Sequence, residues 1–124
     1  MAILPPSADQ DFYSKMRDLK WSSTEKAIAR RSFERALQQE LNAAIQSTKE
    51  MAAKIRQASE LWELERHLTQ LRKEIDRKYE YKYSTLILVF ADLIREGKLD
   101  SENLRGLSED KVSYIRQHAA QSAA

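Results

Sequence analysis

Hydrophobic positions repeat with a helical period along most of this chain. The pattern is densest over 59–97, where Leu61, Leu64, Leu68, Leu71 and Ile75 recur at spacings of three and four and so line one side of an α-helix. Trp62 stands one residue off that seam, about 100° round the helix. The leucine ridge is therefore expected to be covered within the chain and the indole from outside it. The run 85–94 (TLILVFADLI) contains strand-prone types, yet it continues helically through Ala91, Leu93 and Ile94, and a lone strand would have no ladder partner. A helix is predicted there, with Gly97 just past its end.

Upstream, Trp21 followed by Ser22-Ser23-Thr24-Glu25 predicts a helix start with a capping box, the Ser22 hydroxyl accepting from a first-turn amide and the Glu25 carboxylate reaching back. Ala29, Phe33, Leu37, Leu41, Ile45, Thr48, Met51 and Ile55 then sustain a helical stripe for about thirty residues. The opposite face carries Lys26, Arg30, Arg31, Glu34, Arg35, Gln38, Glu40, Lys49 and Glu50 and reads as solvated. A break is expected at 57–59, with Ser59 capping the next helix and Glu60 in its first turn. Within that helix Glu74 and Lys78 have the favourable i,i+4 orientation. Residues 1–20 show weak periodicity, in Phe12, Tyr13, Met16 and Leu19, and are expected to form a mobile arm with one helical turn. Towards the other end, Asp100 or Ser101 opens a short turn through Leu104 and Gly106 closes it. Ser108 caps a last helix that buries Val112, Ile115 and Ala119, and 120–124 are expected to fray.

Composition narrows the class. With 124 residues, 42% hydrophobic and 32% charged, the chain can form one small or elongated unit, divided as arm 1–20, helical dimerisation stalk 21–82 and helical head 83–124. Only two glycines and two prolines leave few sites for tight turns, which favours an all-α fold. Cysteine is absent, which removes disulfides, thiolate catalysis and cysteine metal sites together. The longest apolar run is about half the length of a bilayer-spanning helix, and the amino end has no secretory pattern; a cytoplasmic, membrane-free protein is expected. Twenty-one basic residues interleave with 19 acidic ones, too balanced for strong attachment to nucleic acid.

No pattern of catalysis stands out. His67 and His118 lack a paired imidazole at helical spacing and read as surface residues. The residue three before His67 is Leu64, so the Glu-x-x-His element of di-iron bundles is missing. Gly97 and Gly106 stand alone, which excludes a glycine-rich phosphate loop, and Glu74 and Asp76 fall on different helical faces. Neither catalytic residues, a cofactor nor a metal is expected. Tyr79, Tyr81 and Tyr83 beside Arg77, Lys78 and Lys82 could stack bases, but a junction covering the core is the simpler reading.

Taken in order, Trp21-Ser22, Leu61-Trp62-x-Leu64, Arg72-Lys73-Glu74-Ile75-Asp76, Lys78-Tyr79-Glu80-Tyr81-Lys82-Tyr83-Ser84, Val89-Phe90-Ala91, Glu96-Gly97 and Leu107-Ser108-x-Asp110-Lys111 resemble the cyanobacterial fluorescence recovery protein family. The resemblance spans roughly 21–116. It implies an all-α homodimer with a long antiparallel helical stalk and a small C-terminal head. It also implies a non-enzymatic role: binding the C-terminal domain of orange carotenoid protein and speeding its red-to-orange return. By the same resemblance Trp62, Leu64, Glu65, Arg66 and Arg72 belong to the dimer interface, and Leu88, Phe90, Lys111 and Tyr114 to the partner-binding head. The chain departs from the family at several of these positions. Glu65 and Arg66 replace a histidine and an aspartate, Leu88 an aromatic residue and Tyr114 a lysine. Rearranged ion pairs are expected around Trp62, and two alternatives stand beside the main reading. One is a homologue that serves a different protein partner; the other is a basic helical nucleic-acid-binding protein.

Overall fold

The computed structural model describes residues 8–121, and every regular element among them is helical. In chain order these are α1 (Ala8–Arg17), α2 (Ser23–Ala53), α3 (Ala58–Lys78), α4 (Leu86–Arg95), a single 3₁₀ turn (Ser101–Leu104) and α5 (Glu109–Gln121). The expectations for 1–7 and for 122–124 fall outside the described residues.

Helix α2 begins as its sequence dictates. Ser22 Oγ accepts from the Glu25 amide at 3.1 Å and Glu25 Oε1 accepts from the Ser22 amide at 3.0 Å, so two amides left over at the helix start are satisfied reciprocally. The helix runs unbroken to Ala53, and after a short turn α3 returns antiparallel along it. The second start differs from the expected one: Gln57, not Ser59, is the capping position, and Glu60 Oε1 accepts from the amides of Arg56 and Gln57 at 3.2 and 3.1 Å. With the helix already open at Ala58, Ser59 lies inside its first turn and no longer stands at the capping position.

The core lies at one end of this hairpin. Ile28, Ala29, Phe33 and Ala36 of α2 meet Ile75 and Tyr79 from the end of α3, most of α4, Leu99, Leu104, Leu107 and Ile115. Helix α4 stops in a Schellman turn: Lys98 N–H donates to Leu93 O at 2.8 Å, Gly97 N–H donates to Ile94 O at 3.0 Å, and Gly97 has φ +74°. Ser32 Oγ donates to Asn103 O at 2.7 Å, which ties the 3₁₀ turn to α2.

Gly106 is the tightest backbone position. Its φ is +106°, and a Cβ there would stand 2.5 Å from the buried Ile28 Cδ1. Gly106→Ala therefore combines backbone strain with overpacking and is expected to cost about 2–3 kcal/mol. At Gly97 an added Cβ would meet nothing within 4 Å, so Gly97→Ala carries the strain alone, about 1 kcal/mol. Urea unfolding of the two variants checks the ranking.

The amino-terminal segment is more ordered than one turn. Ten residues, Ala8–Arg17, are helical, and Met16 is 1% exposed within the core cluster. Its spacing from Phe12 and Leu19 is helical after all, but three apolar positions among many charges gave a weak signal.

Candidate functional site

The residues expected from the sequence to make contacts fall on two parts of the molecule: the open side of the hairpin and the packed end. A layer of buried charge and aromatic rings holds them in place.

On the hairpin, α2 and α3 diverge around a groove of about 550 Å³ lined by Leu41, Ala44, Ile45, Thr48, Leu68, Leu71 and Ile75, with Arg72 and Asp76 at its edge. The leucine seam is not covered within the chain, contrary to the sequence expectation. Ile75 alone of the five is buried; Leu61 is 47% and Leu68 41% exposed, and Leu64 and Leu71 are half-buried. The physical reason is length. The core reaches only as far as Ile75, and beyond it one facing helix cannot cover a stripe this wide. Trp62 is 55% exposed and Ile45 52%. Glu65, Arg66 and Arg72 are exposed as well, and Arg72 Nε lies 4.0 Å from Asp76 Oδ2. Among the described residues, no ion pair joins Glu63, Glu65 or Arg66 to another side chain of the same chain. Exposed apolar side chains grouped on one side of a molecule are the usual mark of an interaction surface or a ligand groove.

The sequence pattern sets Glu40 on the solvated face of its helix and Lys78 in register with Glu74. The fold places Glu40 and Lys78 together instead. Lys78 Nζ donates to Glu40 Oε1 at 2.6 Å and to Glu96 Oε1 at 2.9 Å, and Tyr79 Oη donates to Glu40 Oε2. Glu74 is left to accept from Gln70 at 3.3 Å. Burial alone would raise the Glu40 carboxyl, but the hydrogen bonds from Lys78 and Tyr79 outweigh it and hold the group below its ordinary value. Burial likewise opposes the Lys78 charge, and Glu40 and Glu96 more than restore it. The Tyr79 hydroxyl is pushed up, first by burial and then by its bond to Glu40. One carboxylate thus joins α2 to α3, and Lys78 extends the link to the end of α4.

The tyrosines extend the joint as a ladder of ring contacts, edge to face except for the tilted last one between Tyr83 and Trp21. Phe33 meets Tyr79 at 5.5 Å and Tyr81 at 4.9 Å, Tyr81 meets Tyr83 at 5.5 Å, and Tyr83 meets Trp21 at 5.6 Å. Arg30 lies 3.9 Å above the Tyr81 ring and Lys26 5.4 Å above that of Tyr83. These rings are engaged with one another and with cations, as a junction over the core requires, and Tyr83 at its edge keeps 37% exposure.

In the packed end, the four residues expected to meet a partner separate into two pairs. Phe90 is fully buried and Lys111 is 4% exposed, so neither presents its side chain to the surface. Phe90 lies on the α4 face that also buries Leu86, Ile87 and Leu93. Lys111 is drawn inward because Glu25 is already there: its Nζ lies 3.1 Å from Glu25 Oε2 and donates to Lys20 O at 2.6 Å, and it stands 4.9 Å above the Trp21 ring. The other two residues are half-buried. Leu88 shares the outer face of α4 with Asp92 and Arg95, which form an ion pair at 2.6 Å. Tyr114, on α5, meets Phe12 of α1 edge to face at 5.6 Å.

Glu25 is the most perturbed carboxyl. Burial would raise it, but amides of Ser22 and Ser108 and the Lys111 ammonium lower it from 4.5 to about 2. The unfolded chain binds this proton more readily than the folded one. The stabilisation, on the order of 3 kcal/mol, is therefore complete at neutral pH and is lost as the pH falls from about 4.5 to about 2. Stability measured against pH is expected to drop across that window and to fall less steeply in Glu25→Gln.

Residues 21–119 match the family model described as photoprotection regulator fluorescence recovery protein. The chain belongs to the fluorescence recovery protein family. It is 38% identical over 96 residues to the fluorescence recovery protein of Synechocystis sp. (strain ATCC 27184 / PCC 6803 / Kazusa), covering 77% of this chain and 88% of that protein. The solved fluorescence recovery protein of Fremyella diplosiphon superposes with a TM-score of 0.78 at 39% identity, over 82% of this chain and 99% of that one. The solved Synechocystis protein gives the same TM-score at 38% identity, with the same coverage. Fluorescence recovery proteins are photoprotection regulators, and the all-helical fold expected from the sequence agrees with both structures. Helix α1 precedes the residues that match the family model. Among the described residues no cluster of three or more His, Asp or Glu side chains could hold a metal ion, and no helix is long and apolar enough to cross a membrane.

Sequence reasoning missed Ile45, Leu61 and Leu68 as members of the open face. The signal was present: the two hydrophobic stripes are longer than a chain of this size can cover internally.

Proposed function

We propose that this protein is a non-enzymatic, cytoplasmic homodimeric regulator that binds the C-terminal domain of orange carotenoid protein and accelerates its red-to-orange back-conversion. The observation that carries the dimer is the open apolar face, where Ile45, Leu61, Trp62 and Leu68 are exposed together beside the groove between α2 and α3. A second copy supplies a self-complementary cover for such a face, and in this reading Trp62, Leu64, Glu65, Arg66 and Arg72 lie at or beside the contact. Opposite charges at Glu65 and Arg66 then pair across subunits. The hairpin is the stalk and the packed end the head, whose outer surface at Leu88 and Tyr114 meets the partner. The buried Phe90 and Lys111 keep that surface in shape.

A regulator of this kind shifts an equilibrium only by its difference in affinity for the two conformers. The test is the dark recovery of photoactivated orange carotenoid protein with and without this chain. Acceleration that rises with concentration and saturates is expected, and an unchanged rate over a wide concentration range rejects the activity. The replacements at Glu65, Arg66, Leu88 and Tyr114 favour a second reading, in which the same dimer serves another protein partner. Capture from native lysate with identification of the retained protein separates the two.

A further inference from the structure

Helix α1 lies on the face of α5 that carries Tyr114 and His118. Phe12 meets Tyr114 edge to face at 5.6 Å and stacks on His118 with ring centroids 5.9 Å apart and planes 12° from parallel. One turn further on, Met16 is buried in the core cluster at 1% exposure. The chain is pinned shortly after this helix, because Lys111 Nζ donates to Lys20 O at 2.6 Å and sits over the Trp21 ring. The capping box at Ser22 and the Glu25 pair lie beyond this pin, so undocking of α1 leaves both in place and withdraws Met16 from the core cluster. At ten residues, α1 is too short to persist as a helix alone in water, so undocking and unwinding are one event.

We propose that α1 is a displaceable cover over an interaction surface of α5, and that a partner's apolar, aromatic-bearing segment takes its place on Tyr114 and His118. The inference rests on the docking role proposed above and adds its regulation. Competition between cover and partner lowers the apparent affinity by the fraction of molecules in which the surface is open. The residues that match the family model begin after α1.

Three full-length chains test this: wild type, Met16→Glu, which places a charge in the apolar seat of α1, and Phe12→Ala, which removes the ring from Tyr114 and His118. The probe is the isolated C-terminal domain of orange carotenoid protein, titrated by calorimetry. Hydrogen exchange on the free chains reports α1 and α5 separately. With the cover closed in nine molecules of ten, Met16→Glu is expected to bind about tenfold more tightly, and Phe12→Ala to shift the same way by less. In both variants α1 amides lose protection while those of α4 keep it. Should Met16→Glu disturb α4 as well, Phe12→Ala decides, since its ring is only half-buried. Equal affinity in all three chains overturns the cover, and so does weaker binding by the variants, which would make α1 part of the docking surface. Absence of binding by every chain removes the docking role itself, an outcome distinct from the other two.

Discussion

Lys111→Met is expected to cost the fold on the order of 3 kcal/mol and to lower the melting temperature by roughly 10 °C. The substitution keeps most of the side-chain volume, so packing changes little. What it removes is the countercharge of Glu25, a carboxylate with 11% side-chain exposure, and the donor to Lys20 O. Breaking a buried pair from one side leaves the other charge without compensation, which costs more than the pair itself contributes. The Ser22 and Ser108 amides still bind Glu25, so the carboxyl stays low but less so, and the acid transition moves to higher pH. The double variant Glu25→Gln/Lys111→Met removes both charges and is expected to recover part of the loss. Thermal melts of the single and double variants at neutral pH check the coupling; equal stability of wild type and Lys111→Met would remove the pair from the account of the head.

The second large effect concerns association. Trp62→Ala is expected to weaken self-association by about 2 kcal/mol, roughly thirtyfold in Kd, with helical content unchanged. Its indole is 55% exposed, so truncation removes little from within the subunit. Buried aromatics near the centre of an interface carry a disproportionate share of binding energy. Leu68→Asp, which sets a charge in the groove, is expected to act in the same direction and more strongly. Light scattering across a dilution series, with circular dichroism as control, measures both. An unchanged mass in both variants moves the subunit contact away from this face.

The helices were legible in the sequence to different depths. The Ser22 capping box is a local arrangement among four consecutive residues, so it could be read without the fold. The same holds for Gly97 at the end of α4 and for Ser108 before α5. The helix start at Gln57 was read two residues late, because Ser59 is a good cap by type while Glu60 does the capping through its carboxylate. Helix α1 carries too few apolar positions to announce itself. It becomes a helix because Met16 joins the core and Phe12 finds a surface that the chain supplies about a hundred residues later.

Of the site, the exposed indole was visible in its offset from the leucine seam. The extent of the open face was not, because periodicity identifies which residues share a side and says nothing of how much of that side the rest of the chain can reach. Phe90 and Lys111 show the converse. The family resemblance pointed to a partner, and the fold buries both side chains.

What the sequence determined by itself is the all-helical architecture, the positions of most helix ends and membership of the family, each carried by spacings within a few turns or by ordered short motifs. The tertiary structure alone decided which charges became internal. Glu40 with Lys78, and Glu25 with Lys111, are 38 and 86 residues apart in the chain, and their pairing depends on where the helices cross. No local pattern encodes that distance. The same limit applies to the hairpin's open face, since covering it is a property of how many helices pack there and not of the helix that carries it.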